Sequence, residues 1–163
     1  RAMQEARVKR LFTATRRNNL EFLLEVIPSK VGAVDDETTA TLIQQFYDVG
    51  VYPDWWKLEP FTTDEAWQNA VNAIERNDPR TRGIVVLGLD ASEDELAASF
   101  AMAAKQPLVK GFAVGRTIFG NVARAWLKGD MSDAEAVSQM AERFQRLCDI
   151  WDNARQDARL NAA

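Results

Sequence analysis

Two periodicities alternate along this chain. Apolar runs of strand length give way to longer stretches with apolar residues at helical spacing, and the pair repeats four times after residue 20. The runs EFLLEVI, DWWKLEP, GIVVLGLD and LVKGFAVG predict strands near 21–27, 54–59, 83–89 and 108–114. After the first, a helix is expected from Asp36 to Asp48, with Leu42, Ile43, Phe46 and Tyr47 on one face and Gly50 as its stop. Thr62-x-x-Glu65 reads as a capping box opening a helix with Trp67, Ala70, Val71 and Ile74 inward. Ser92-x-x-Glu95 opens the next, carrying Leu96, Phe100 and Ala103, and a short helix through Trp126 ends at Gly129. Ser132-x-x-Glu135 starts the longest helix, whose stripe of Val137, Met140, Phe144, Leu147, Cys148 and Trp151 predicts core packing. Ahead of the repeats, residues 1–18 predict a further helix with Leu11 and Phe12 inward. No N-cap precedes Arg1, so the chain is expected to begin inside a larger protein.

Strand–helix alternation with nearly continuous apolar strands predicts a parallel sheet covered by helices. The periodicity alone leaves a doubly wound sheet and one half of a (β/α)8 barrel both open. At 163 residues and 47% apolar content, one core and one domain over residues 1–163 are expected. No apolar run reaches the ~20 residues of a membrane span, so no membrane contact is expected. The lone Cys148 has no internal disulfide partner, which fits a reducing cytoplasm. With no histidine and one cysteine, every Ser-His and Cys-His scheme and ordinary zinc sites are removed, and no metal is expected. Proton chemistry then falls to Asp, Glu, Lys or Tyr. A net charge of −4 argues against general nucleic-acid binding. Arg7, Lys9, Arg10, Arg16 and Arg17 are therefore read as a solvated helix face.

In either architecture, sites lie at the carboxyl ends of the parallel strands. Those ends carry Glu25, then Lys57 and Glu59, then Gly88 and Asp90, then Gly115 and Arg116. Alternation puts Trp55, Lys57 and Glu59 on one face. A lysine desolvated beside tryptophans is a candidate amine nucleophile; the plainer reading is a lysine paired with a carboxylate. Glu25, between Leu24 and Val26, is a candidate general acid/base if buried, with Glu59 a weaker second. The segment Gly115-Arg116-Thr117-Ile118-Phe119-Gly120 has the composition of an anion site: a backbone that admits a ligand, a guanidinium fork and a helix start. Gly88 could add a backbone donor, whereas Lys110 is placed nearer the amino end of its strand.

Together, LLEV, PDWWKLEP, VVLGLD and VKGFAVGRTIFG resemble the last four strands of a known family. It is the aldolase-like C-terminal domain fused behind a ribokinase-type sugar kinase (5-dehydro-2-deoxygluconokinase) in bacterial inositol catabolism, itself similar to class I tagatose-bisphosphate aldolases. The resemblance runs from about Leu20 to Trp151. It implies the C-terminal half of a (β/α)8 TIM barrel, with the missing N-terminal half or a second copy of the chain as partner and a possible fused sugar kinase. It also implies roles: Lys57 as the Schiff-base lysine, Glu25 as acid/base, and Gly88, Leu89, Gly115 and Arg116 around a substrate phosphate. The implied reaction is aldol cleavage of a phosphorylated keto-sugar acid, 5-dehydro-2-deoxygluconate 6-phosphate, to dihydroxyacetone phosphate and malonate semialdehyde. No cofactor is required. The alternative is a non-catalytic phosphosugar-binding or oligomerisation module attached to the kinase.

Overall fold

A computed structural model describes residues 2–88 and 91–161. Helix α1 (Ala2–Arg17) precedes four strand–helix units. These are β1 (Leu23–Val26) and α2 (Thr38–Asp48), then β2 (Trp55–Leu58) and α3 (Asp64–Asn77), then β3 (Gly83–Leu87) and α4 (Glu93–Ala103). Last come β4 (Val109–Ala113), α5 (Arg116–Leu127) and α6 (Asp133–Leu160). All strand pairs are parallel and the spatial order is β1-β2-β3-β4, the order of the sequence. A doubly wound sheet would reverse about its first strand. The observed order never reverses, and the fold is that of a fragment of a (β/α)8 barrel.

Alternation along each strand sorts the two faces. Leu24, Val26, Trp56, Leu58, Ile84 and Val86 turn to the helices and are buried. They meet Ile43, Tyr47, Trp67, Val71, Ile74, Leu96 and Phe100 in a single cluster. Each such side chain contributes roughly 1.5–3 kcal/mol through removal from water. Trp56 also donates its indole N–H to the Tyr47 hydroxyl at 3.1 Å, so the buried ring leaves no polar atom stranded. The residues between them, Leu23, Glu25, Trp55, Lys57 and Val85, remain exposed or half-buried on the other face. Register sets Glu25 beside Lys57, Lys57 beside Val85, and Val85 beside Gly111.

Several helix details differ from the sequence expectation. The N-cap of α3 is Thr63, whose hydroxyl accepts from the Ala66 N–H at 3.1 Å, and not Thr62. Thr63 is free to cap because its own hydroxyl proton goes to Asp36. Both serine boxes form as expected, at Ser92/Glu95 and Ser132/Glu135. In α6 only the C-terminal part of the apolar stripe reaches the core: Leu147 and Trp151 are buried, while Val137 is 68% and Phe144 51% exposed. At its start Asp133 accepts from the Trp126 indole N–H of α5 at 2.7 Å, and Phe144 meets the Phe112 ring of β4 edge-on at 6.2 Å. Leu11 of α1 is likewise exposed, and α1 rests on the body through Phe12 against Phe22.

Candidate functional site

The carboxyl ends of the strands surround an open cleft of about 350 Å³. Glu25 and Lys57 line it from β1 and β2, Gly88 from the end of β3, and Gly115 and Arg116 from the start of α5. Lys57 Nζ lies 2.8 Å from Glu25 Oε1, the two side chains 24% and 42% exposed. The sequence expectation of a buried carboxylate beside a desolvated amine is therefore corrected. Both stand on the open face, because the alternation that buries Leu24 and Val26 turns Glu25 outward. Only Trp55 shares Lys57's face, since Trp56 is fully buried on the other.

Gly115 is the N-cap of α5, and its carbonyl accepts from the N–H groups of Ile118 and Phe119 at 2.8 and 3.1 Å. A Cβ at Gly115 would come within 3.0 Å of the Phe119 ring, so any larger residue would displace the aromatic that walls the cleft. Gly88 is tight for a different reason: a Cβ there would lie 2.9 Å from Val114 Cγ1. The absence of a side chain at Gly88 thus serves strand-end packing first. Leu89 and Asp90 lie outside the described residues.

Glu59 does not join the cleft. It is 6% exposed and accepts from the Ser29 N–H at 3.2 Å and from the Ser29 hydroxyl. A carboxylate is costly to bury without partners, and these bonds tie the tight turn Pro28–Lys30 to the end of β2. That turn delivers a residue the sequence reading missed. Lys30 lines the cleft and makes no hydrogen bond or ion pair among the described residues. Its only sequence signal is its position five residues after Glu25, beyond the proline that ends the strand pattern. Lys110 stays away from the site, donating to the Pro107 carbonyl at 2.8 Å beside the amino end of the sheet.

Chemically, the cleft offers one paired amine and carboxylate with two further cations, Lys30 and Arg116, on its walls. It can hold an anionic ligand against a lysine whose proton has an acceptor at hydrogen-bond distance. Among the described residues no three acidic or cysteine side chains converge as a metal site, and no helix is long and apolar enough to cross a membrane.

Residues 1–155 match the model of a bacterial protein family, DUF2090, described as "Uncharacterized protein conserved in bacteria". The chain belongs to the DUF2090 family. No curated protein matches this DUF2090 chain in sequence. Among solved structures it is similar to a fructose-bisphosphate aldolase from Plasmodium falciparum, crystallised with TRAP and a small-molecule inhibitor. The TM-score is 0.59 at 18% identity, over 93% of this chain and 48% of the aldolase chain. At that identity the likeness is one of fold. The DUF2090 chain has an aldolase-like fold and spans about half the length of that aldolase.

Proposed function

We propose that this chain is the C-terminal half, in one domain, of a Schiff-base aldolase barrel acting on a phosphorylated keto-sugar acid. The reading is carried by one observation: the Lys57 amine and the Glu25 carboxylate are 2.8 Å apart in a cleft that Arg116 also lines. Glu25 takes the proton that Lys57 must lose before its nitrogen attacks the substrate ketone. Water leaves and a protonated imine forms. A base then removes the proton of the hydroxyl on the carbon β to the iminium; that oxygen becomes the carbonyl of the departing aldehyde, the Cα–Cβ bond breaks, and its electron pair moves into the iminium to give an enamine. Protonation of the enamine carbon and addition of water release the second product and restore the amine. Glu25, the carboxylate beside Lys57, carries the hydroxyl proton in this scheme.

Arg116 and the Gly115 turn grip the phosphate, with Gly88 on the neighbouring strand end, which fixes the carbonyl over Lys57. Lys30, which also lines the cleft, would meet the acid end of the substrate. 5-Dehydro-2-deoxygluconate 6-phosphate, the inositol-catabolism intermediate, has both anionic ends, and a fused sugar kinase acting in the cytoplasm would supply such a phosphate ester.

Borohydride reduction in the presence of this substrate, read by mass spectrometry of the intact chain, tests the proposal. A covalent adduct is expected on the parent protein and none on Lys57→Ala. Arg116→Ala should weaken trapping of the phosphorylated substrate by about tenfold or more and leave an unphosphorylated analogue unchanged. Phosphosugar binding without any adduct would leave a non-catalytic binding or oligomerisation module.

A further inference from the structure

Outside the strand-end cleft, a second hollow of about 620 Å³ opens between the start of α4, one face of α5 and the middle of α6. Among the described residues four arginines line it, Arg116 and Arg124 from α5 and Arg143 and Arg146 from α6, against one acidic residue, Glu93. Eight residues separate the α5 pair and three the α6 pair, so each pair shares a helix face. In a chain whose net charge is −4, this is a local reversal of sign.

The four are not equally engaged. Arg146 forms a two-pronged contact with Glu93, Nε to Oε2 and Nη2 to Oε1, both at 3.2 Å. Arg124 donates to the Asn121 side-chain carbonyl, a neutral acceptor that leaves its charge uncompensated. Arg143 is half-buried and makes no hydrogen bond or ion pair among the described residues. Guanidinium groups gathered on one hollow repel one another unless an anion lies between them. Among the described residues nothing aromatic or long and aliphatic lines the hollow, so it offers no apolar surface for an acyl chain, and its polar contacts are those of an anion site.

We propose that this hollow is a binding site for a small polyvalent phosphate, of the pyrophosphate or tripolyphosphate class, held by Arg124, Arg143 and Arg146. The planar forks suit phosphate oxygens, and several linked phosphates match several separated forks. Arg116 and Thr117 border both this hollow and the strand-end cleft. An anion bound here therefore lowers the positive potential that a phosphate in the cleft experiences, and the two ligands oppose each other.

Titration calorimetry of the chain with pyrophosphate at low ionic strength tests the site without any turnover. Binding is expected, weakening steeply with added salt. Arg143→Ala and Arg124→Ala should each weaken it about tenfold, while Glu93→Gln, which releases Arg146 from its carboxylate, should tighten it. Arg143 has no partner to lose, so its variant should melt with the parent; a shared melting curve removes misfolding as an explanation. Lys57→Ala should bind pyrophosphate as the parent does, which separates this site from the aldolase reading. No heat at millimolar pyrophosphate would overturn the proposal. So would binding that survives both arginine variants but is lost in Lys30→Ala, since that would put the anion in the cleft.

Discussion

Lys30 and Ser29 are neighbours with opposite duties. Ser29 supplies both hydrogen bonds to the buried Glu59 carboxylate, through its N–H and its hydroxyl. Lys30 lines the cleft and makes no hydrogen bond or ion pair among the described residues. Ser29→Ala should lower the unfolding free energy by about 1–3 kcal/mol, because a buried carboxyl group loses one of its two hydrogen bonds from Ser29. Lys30→Ala should stay within about 0.5 kcal/mol of the parent. Urea denaturation followed by tryptophan fluorescence reads both, and equal effects would mean that Glu59 finds its partner elsewhere. The pair also marks what could be read from single residues in the sequence. Glu25, Lys57 and Arg116 were legible as neighbours because parallel strands bring their carboxyl ends to one rim. Glu59 leaves the face of Lys57 because the strand ends at Leu58 and alternation does not extend beyond it. Lys30 was invisible because the path of a turn after Pro28 depends on a buried carboxylate thirty residues away.

Helix α1 has no buried residue and is held by few contacts. Its main polar tie is Arg16, which lies 2.7 Å from Asp54 and also donates to the Tyr52 carbonyl at 2.9 Å. Partial burial pushes the Asp54 carboxyl up, but the hydrogen bonds from Arg16 and from the Phe22 N–H outweigh it and leave it below the usual aspartate value. A carboxyl depressed in the folded state contributes stability that is present above its unfolded pKa, about 3.9. That contribution is lost as the pH falls through the lower, folded value. Acidification below about pH 4 should therefore loosen α1 before the sheet, with its amides exchanging earliest and Asp54→Asn removing that acid step. Simultaneous loss of α1 and the strands would contradict it. At this scale the sequence was most informative where a signal is local. The two serine capping boxes are closed within four residues and formed as read. Thr62 lost its role to Thr63 because Asp36, far away in sequence, takes the Thr63 hydroxyl proton. The stripe of α6 outruns the core for a similar reason: helical spacing shows that a face is apolar but not how far along its length the core extends.

Among the described residues the sheet has two unpaired edges and one uncovered face. β1 and β4 each have one neighbouring strand, and the face carrying Leu23, Trp55, Val85 and Ala113 is exposed or half-covered. Unpaired strand edges beside an apolar surface are a template for further pairing, and a parallel sheet is stable with both faces covered. The four strands also match only part of an aldolase barrel, with 48% of that chain's length covered. We infer that a second four-strand unit completes the structure, the other half of a longer polypeptide or, for this chain in isolation, a second copy. Sedimentation at micromolar concentration should then give a mass above that of one chain. Leu23→Glu should shift it to the monomer, since Leu23 is 46% exposed on the open face and its loss costs the monomer little. The site supplies a second readout. A cleft walled on one side admits water to the iminium, whereas a closed barrel excludes it and fixes the substrate. Borohydride trapping at Lys57 should therefore rise faster than in proportion to protein concentration in the range where association occurs, and Leu23→Glu should remove that extra rise. A stable monomer whose trapping is strictly proportional to its concentration would refute the closure and leave the half-barrel competent alone.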